Sequence, residues 1–294
     1  MQRDSSTALL AGVIDYAGLF PPAGLSMSDA AAEYHAARTS AQAWMLGRFV
    51  VPAARLRELA EARPAHPLDT QWRVSAIVRD NSSEDLASVA AFNAAAPRLH
   101  AHVDTIEAKP QLLEGVDWLA AHAAGLEVYV EVAPGPDVDR WLERVAARGL
   151  RAKVRTGGLT AEAFPTPAAL AAFLAAAFRH RVPFKATAGL HHAVRGIYRL
   201  TYDDGAQHAS MYGYLNVLLA TAALRAGRPQ GVAEALLQRT DTSALVFTDD
   251  AVSWGAQQFP LSTVHDTRQH HLVSVGSCSF REPVDEFDAL ASRQ

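Results

Sequence analysis

Two stretches of this chain place lysine where lysine is costly. They are Ala152-Lys153-Val154-Arg155-Thr156-Gly157-Gly158 and Phe184-Lys185-Ala186-Thr187-Ala188-Gly189-Leu190-His191-His192. Each follows a helix-like stretch, begins as an apolar run and contains glycine. A lysine in a buried strand loses its hydration, a cost relieved by a partner or by a lowered pKa. A strand has a side-chain period of two, so Lys153 and Arg155 share a face, as do Lys185 and Thr187. An amine is a nucleophile only when unprotonated, and a nearby cation favours that form. For Lys153 the cations at hand are Arg155 on its own strand and Lys185 on the next.

Further polar residues fall on strands: Asp15, Arg48, Asp104, Glu107 and Glu131. A buried ion-pair network that merely holds the fold together is the plain alternative. Buried pairs are poor stabilisers, which turns so rich a set toward function. Asp104 and Glu107 have opposite parity, so one of the two is expected to face inward as a proton carrier. His191 and His192 are adjacent and point apart on an extended chain. A metal site joining one of them to His100 or His102 matches no specific zinc spacing. Cys278, beside Gly276 and Ser277, needs a nearby base to be a nucleophile.

The elements that position these residues alternate. Strands are expected at 13–17, 44–51, 72–78, 99–107, 127–132, around Lys153, around Lys185 and at 271–275. Helices are expected at 28–38, 53–62, 83–95, 111–124, 138–147 and from Pro167 to 179. A proline-containing loop is expected at 63–70. Strands alternating with helices over short connections predict a parallel sheet with helical crossovers, and eight strands suit a closed (β/α)8 TIM barrel. An open doubly wound sheet is the rival, but no glycine-rich phosphate fingerprint follows the first strand. After strand seven the rhythm breaks. The region of about 190–270 reads as an insertion before strand eight, polar at 189–209, with helices at 212–226 and 232–238 and an extra strand at 245–247. The helix at 212–226 reads as a packed core or oligomer helix, with Asn216 the residue there that could face a site. A last helix follows Pro283.

Composition bounds the rest. The 294 residues are 49% hydrophobic and 20% charged, which suits a single barrel domain. A net charge of −4 and a pI near 6.3 argue against a general nucleic-acid binder. One cysteine excludes an internal disulfide and suits a reducing cytoplasm. No signal peptide or membrane span is expected.

The chain resembles deoxyribose-phosphate aldolase and its class I aldolase relatives. That family carries Lys-Thr-Ser-Thr-Gly on its sixth strand and Lys-Ala-Ser-Gly-Gly on its seventh. Lys153 to Gly157 and Lys185 to Gly189 are similar to these. Ile14-Asp15-Tyr16, Arg48-Phe49-Val50, Val130-Glu131-Val132 and Gly276-Ser277-Cys278 resemble the family's first, second, fifth and eighth strands. The resemblance implies a Schiff base at Lys153, with Lys185 lowering its pKa and Asp104 or Glu107 moving protons. It implies substrate contacts at Gly157, Gly189, Thr187 and Ser277, with His191 and His192 in place of the backbone phosphate grip that the family builds around its glycines. Arg48 and Arg155 are expected to bind the anion of a small carbonyl substrate. No cofactor or metal is called for, and a homo-oligomer is compatible with the sequence. A metal-assisted barrel isomerase or hydrolase and a non-catalytic metabolite-binding barrel stay open as alternatives.

Overall fold

A computed structural model describes residues 4–62 and 71–293; the loop expected at 63–70 lies outside the described residues. Eight strands close into an all-parallel barrel: β1 (Ile14–Tyr16), β2 (Leu46–Pro52), β3 (Trp72–Val78), β4 (Ala101–Ala108), β5 (Glu127–Glu131), β6 (Arg151–Arg155), β7 (Phe184–Thr187) and β13 (Leu272–Ser277), which pairs with both β7 and β1. The five strands between β7 and β13 belong to the insertion. The (β/α)8 architecture read from the alternation is the one observed.

Short-range chemistry sets the helices. Ser26 caps α2 (Met27–Arg38) and Ser82 caps α4 (Ser83–Ala94), each accepting from a backbone N–H three residues on. Thr166 caps α8 (Pro167–His180), with Pro167 in the first turn, where its missing N–H costs nothing. The remaining crossover helices are α3 (Leu56–Ala62), α6 (Leu113–His122) and α7 (Val138–Ala147); α1 (Asp4–Leu10) precedes the barrel. Several boundaries moved, two of them at short helical turns. Ala43–Met45 forms a 3-10 turn, so β2 begins at Leu46. Residues 96–99 form a short helix, α5 (Ala96–Leu99), and His100 takes a left-handed conformation before β4.

The insertion is richer than its sequence suggested. The stretch read as merely polar holds a hairpin of β8 (Gly196–Arg199) and β9 (His208–Met211). Then come α9 (Tyr214–Arg225) and α10 (Gln230–Leu237), and an antiparallel sheet of β10 (Leu245–Phe247), β11 (Ala251–Trp254) and β12 (Gln257–Pro260). The sheet leads into α11 (Leu261–His270), which returns the chain to β13; α12 (Arg281–Ala291) ends it. Every residue of α9 from Tyr214 to Leu224 is buried within the one chain, so it is a core helix. Asn216 does not face a site: its amide accepts from the Arg195 N–H and donates to the carbonyls of Leu236 and Arg239, tying the insertion together.

By length and composition the 161–180 stretch, with mean hydropathy 1.4, is long and apolar enough to cross a membrane. Here it is the barrel-layer helix α8 and the turn before it, with Leu170, Phe173, Leu174 and Ala177 buried.

Candidate active site

The inner face of the barrel brings the two lysines together. Lys153 and Lys185 are register partners on β6 and β7, and both side chains are buried. Glu107, near the carboxyl end of β4, takes one lysine on each oxygen: Lys185 Nζ donates to Oε1 at 2.7 Å, and Lys153 Nζ lies 3.3 Å from Oε2. Lys185 also donates to Asp15 Oδ2 at 2.6 Å, and Lys153 stands 3.0 Å from Glu131 Oε2. Two hydroxyls complete the network, Ser75 donating to Glu107 and Ser274 to Asp15. Lys109, just past β4, lies 3.3 Å from the other oxygen of Glu131. Of the two acids of opposite parity on β4, Glu107 is the one in this network.

Electrostatics follow from the pairing. Burial alone would push the Glu107 carboxyl up, but the Lys185 and Lys153 ammoniums and the Ser75 hydroxyl outweigh it and hold it down at about 2. Burial would lower the Lys185 amine, but the carboxylates of Asp15 and Glu107 hold it above the ordinary lysine range. Glu131 is held low in the same way, Lys153 outweighing burial. The three carboxylates Asp15, Glu107 and Glu131 are paired by Lys185, Lys153 and Lys109, and the cavity wall itself carries Lys153, Lys185 and Arg155 against Glu107.

A cavity of about 230 Å³ opens above this network at the carboxyl ends of the strands. Glu107, Lys153, Arg155, Lys185, Thr187 and His191 supply its polar wall, and residues such as Phe20, Val50, Ile77 and Leu159 supply the apolar one. Burial and the neighbouring His192 push the His191 imidazole down to about 4, so it is neutral near pH 7. His191 Nδ1 lies 3.2 Å from Ser277 Oγ and 3.4 Å from Cys278 Sγ. Burial pushes the Cys278 thiol up to about 11, which leaves it a poor nucleophile near neutrality.

Other expected site residues lie elsewhere. Arg48 and Asp104 are near the amino ends of β2 and β4, at the opposite end of the barrel. Arg48 Nε donates to Asp104 at 2.6 Å and its Nη2 to Glu127 at 3.0 Å. Val50, two residues further along the same face of β2, is the residue that reaches the cavity, so Arg48 lies one step below it. His192 turns away from the cavity, bonding Glu286 at 2.6 Å and stacking on Tyr198. Ser277 does not line the cavity; it holds His191. Gly157 and Gly189 make room for the Phe164 ring, since a Cβ at these positions would come within 2.4 Å and 2.8 Å of it. Ser75, Ser274, Lys109 and Phe164 were not anticipated. For the serines, the signal was a small hydroxyl residue inside an apolar strand run.

Among the described residues, no group of three or more His, Cys, Asp or Glu side chains is arranged to hold a metal ion. The fold and site thus define an α/β barrel with a lysine–carboxylate centre at the carboxyl ends of its strands. No protein-family model matches the sequence, and no curated protein does. Among solved structures, the chain is similar to the crystal structure of lysine/ornithine decarboxylase complexed with cadaverine from Vibrio vulnificus. The identity is 11%, covering 63% of this chain and 48% of that one, with a TM-score of 0.38. The match spans about half the length of that protein.

Proposed function

We propose that the protein is a carbon–carbon lyase of class I aldolase type, forming an imine between Lys153 and a small anionic carbonyl compound. The observation that carries this reading is Glu107, shared by two inward-facing lysines beneath a cavity at the carboxyl ends of the barrel strands.

Lys185, fixed between Asp15 and Glu107, stays an ammonium and supplies charge. Lys153 has a proton acceptor on either side, Glu107 and Glu131. Passing its proton to Glu107 leaves a neutral amine at the cavity. The nitrogen lone pair then forms the N–C bond as the carbonyl π pair moves to oxygen. Glu107 carries two protons in turn from nitrogen to that oxygen, which leaves as water, so the ammonium and carbonyl become a protonated imine and water. The imine accepts the electron pair of the neighbouring C–C bond as it breaks. The proton of the departing fragment's hydroxyl goes to a base on the cavity wall, for which neutral His191 is the candidate.

Incubation with a panel of small aldehydes and oxo-acids under borohydride, followed by peptide mass mapping, tests the reading. The reduced substrate's mass is expected on the Lys153 peptide. An adduct on Lys185 would reverse the two roles, and no adduct on either would leave a binding barrel without covalent chemistry.

A further inference from the structure

We infer that the carbonyl compound taken by this site is an oxo-carboxylate rather than a phosphate ester, its carboxylate held by Arg155 where the inner cavity meets a neighbouring groove. The inference rests on the imine reading above for the fate of the carbonyl, but not for the anion contact.

The groove, of about 540 Å³, is lined by Lys109, Glu131, Trp141, Arg155 and Glu162 among others. Arg155 lines both spaces, as the last residue of β6. The other cations nearby are already matched: Lys185 by Asp15 and Glu107, Lys153 by Glu107 and Glu131, Lys109 by Glu131. Arg155 is exposed and makes no hydrogen bond or ion pair among the described residues. Its planar fork presents two parallel N–H groups, which match the two oxygens of a carboxylate.

The seat for a phosphate group is narrowed here. A phosphate site at this end of a barrel is built from free backbone N–H groups around glycines. Here the Thr156 N–H is already donated to the Thr187 carbonyl at 2.8 Å, and Phe164 fills the space over Gly157 and Gly189. A dianion in the groove would also face Glu131 and Glu162, a repulsion that a monoanion feels less.

Two measurements test this. In the first, capture at Lys153 under borohydride is compared for succinic semialdehyde, butanal and glycolaldehyde phosphate. The semialdehyde is expected to be captured about tenfold faster than the other two, the scale of one charge-assisted pair. Arg155→Gln should remove this preference, bringing the semialdehyde to the rate that the same variant shows with butanal. Preferential capture of the phosphate, or equal slowing of both aldehydes, would overturn the inference. The second needs no carbonyl: thermal unfolding is followed with butanoate or inorganic phosphate at matched ionic strength. Butanoate should raise the midpoint of the wild type and of Lys153→Met but not of Arg155→Gln, and phosphate should raise none of them. Stabilisation by phosphate equal to that by butanoate, or a butanoate effect that survives in Arg155→Gln, would also overturn it. If no aldehyde is captured while butanoate behaves as stated, the imine reading falls and the carboxylate site stands.

Discussion

Both ends of the barrel carry an ion-pair network, but the two are built from different cations. At the amino ends the cations are arginines. Arg48 reaches Asp104 and Glu127, Arg73 also pairs with Asp104, and Arg151 also pairs with Glu127. A guanidinium does not give up its proton in a protein and satisfies carboxylates through a fixed fork, so this end is a clasp. At the carboxyl ends the buried cations are lysines. An ammonium can lose its proton, and at Lys153 it faces two acceptors beside an open cavity. The arginine at this end, Arg155, is left at the rim. Asp15 joins the two networks: one oxygen accepts from the Arg48 backbone N–H and the other from Lys185. What separates a structural ion network from a chemical one here is whether its cation can be deprotonated and whether a cavity reaches it.

The sharpest way to break this comparison is to remove one cation from each end. Lys153→Met should abolish borohydride-trapped adducts. Arg48→Met should cost about 1–3 kcal/mol of stability, since Asp104 keeps Arg73 and Glu127 keeps Arg151, while the folded fraction still traps substrate at Lys153. Urea unfolding and adduct mass per folded molecule measure both. Equal loss of trapping in the two variants would erase the distinction between the ends. Glu107→Gln comes next. Without its proton carrier, trapping should slow by about 10²–10⁴-fold, the range general acid–base groups supply.

Lys185 and pH sharpen the same contrast. Lys185→Met leaves Glu107 facing Lys153 alone, which favours the Lys153 ammonium, so trapping should slow and need higher pH. An unchanged pH profile would remove Lys185 from the chemistry. Glu107 is held at about 2 in the fold, below the ordinary 4.5. Its contribution to stability is therefore complete above about pH 4.5 and is lost as pH falls toward 2. Circular dichroism across that window should show stability falling with acid in the wild type and a shallower fall in Glu107→Gln.

The barrel was legible because its alternation is strong: the bounds expected for β3 and α7 match those observed. The convergence of Lys153 and Lys185 followed from parity on neighbouring strands. Depth along a strand was not legible. Lys153 and Arg48 look alike in sequence, yet on β6 the cavity is reached by Lys153 and on β2 by Val50, two residues past Arg48. Parity could not choose between Asp104 and Glu107 either, because the ladder with β3 slips between Val103 and Thr105 and leaves Asp104 out of step. The insertion hid its elements for other reasons. β8, β9, β11 and β12 are four residues each, too short for a pattern. Helix α11 buries only Val264 and Thr267, which leaves its sequence polar.

The smallest expected effect concerns Phe164, the residue that makes the carboxyl end unlike a phosphate-binding barrel. Its ring fills the crook formed by Gly157 and Gly189, yet it is half-buried, and its helical turn at Ala161–Ala163 is exposed. Full burial of a phenylalanine is worth about 3–5 kcal/mol on truncation to alanine, so a half-buried ring should cost about 1–2 kcal/mol. Phe164→Ala should therefore fold, with a modest drop in thermal midpoint. It empties the space over the two glycines without touching Lys153, Glu107 or Arg155, so butanal capture should stay near the wild-type rate. Inorganic phosphate, without effect on the wild type, should now raise the midpoint of the variant, because the glycine backbone becomes reachable. If phosphate still does nothing, the ring is packing alone, and the preference for carboxylate has to come entirely from Arg155 and the charge of the groove.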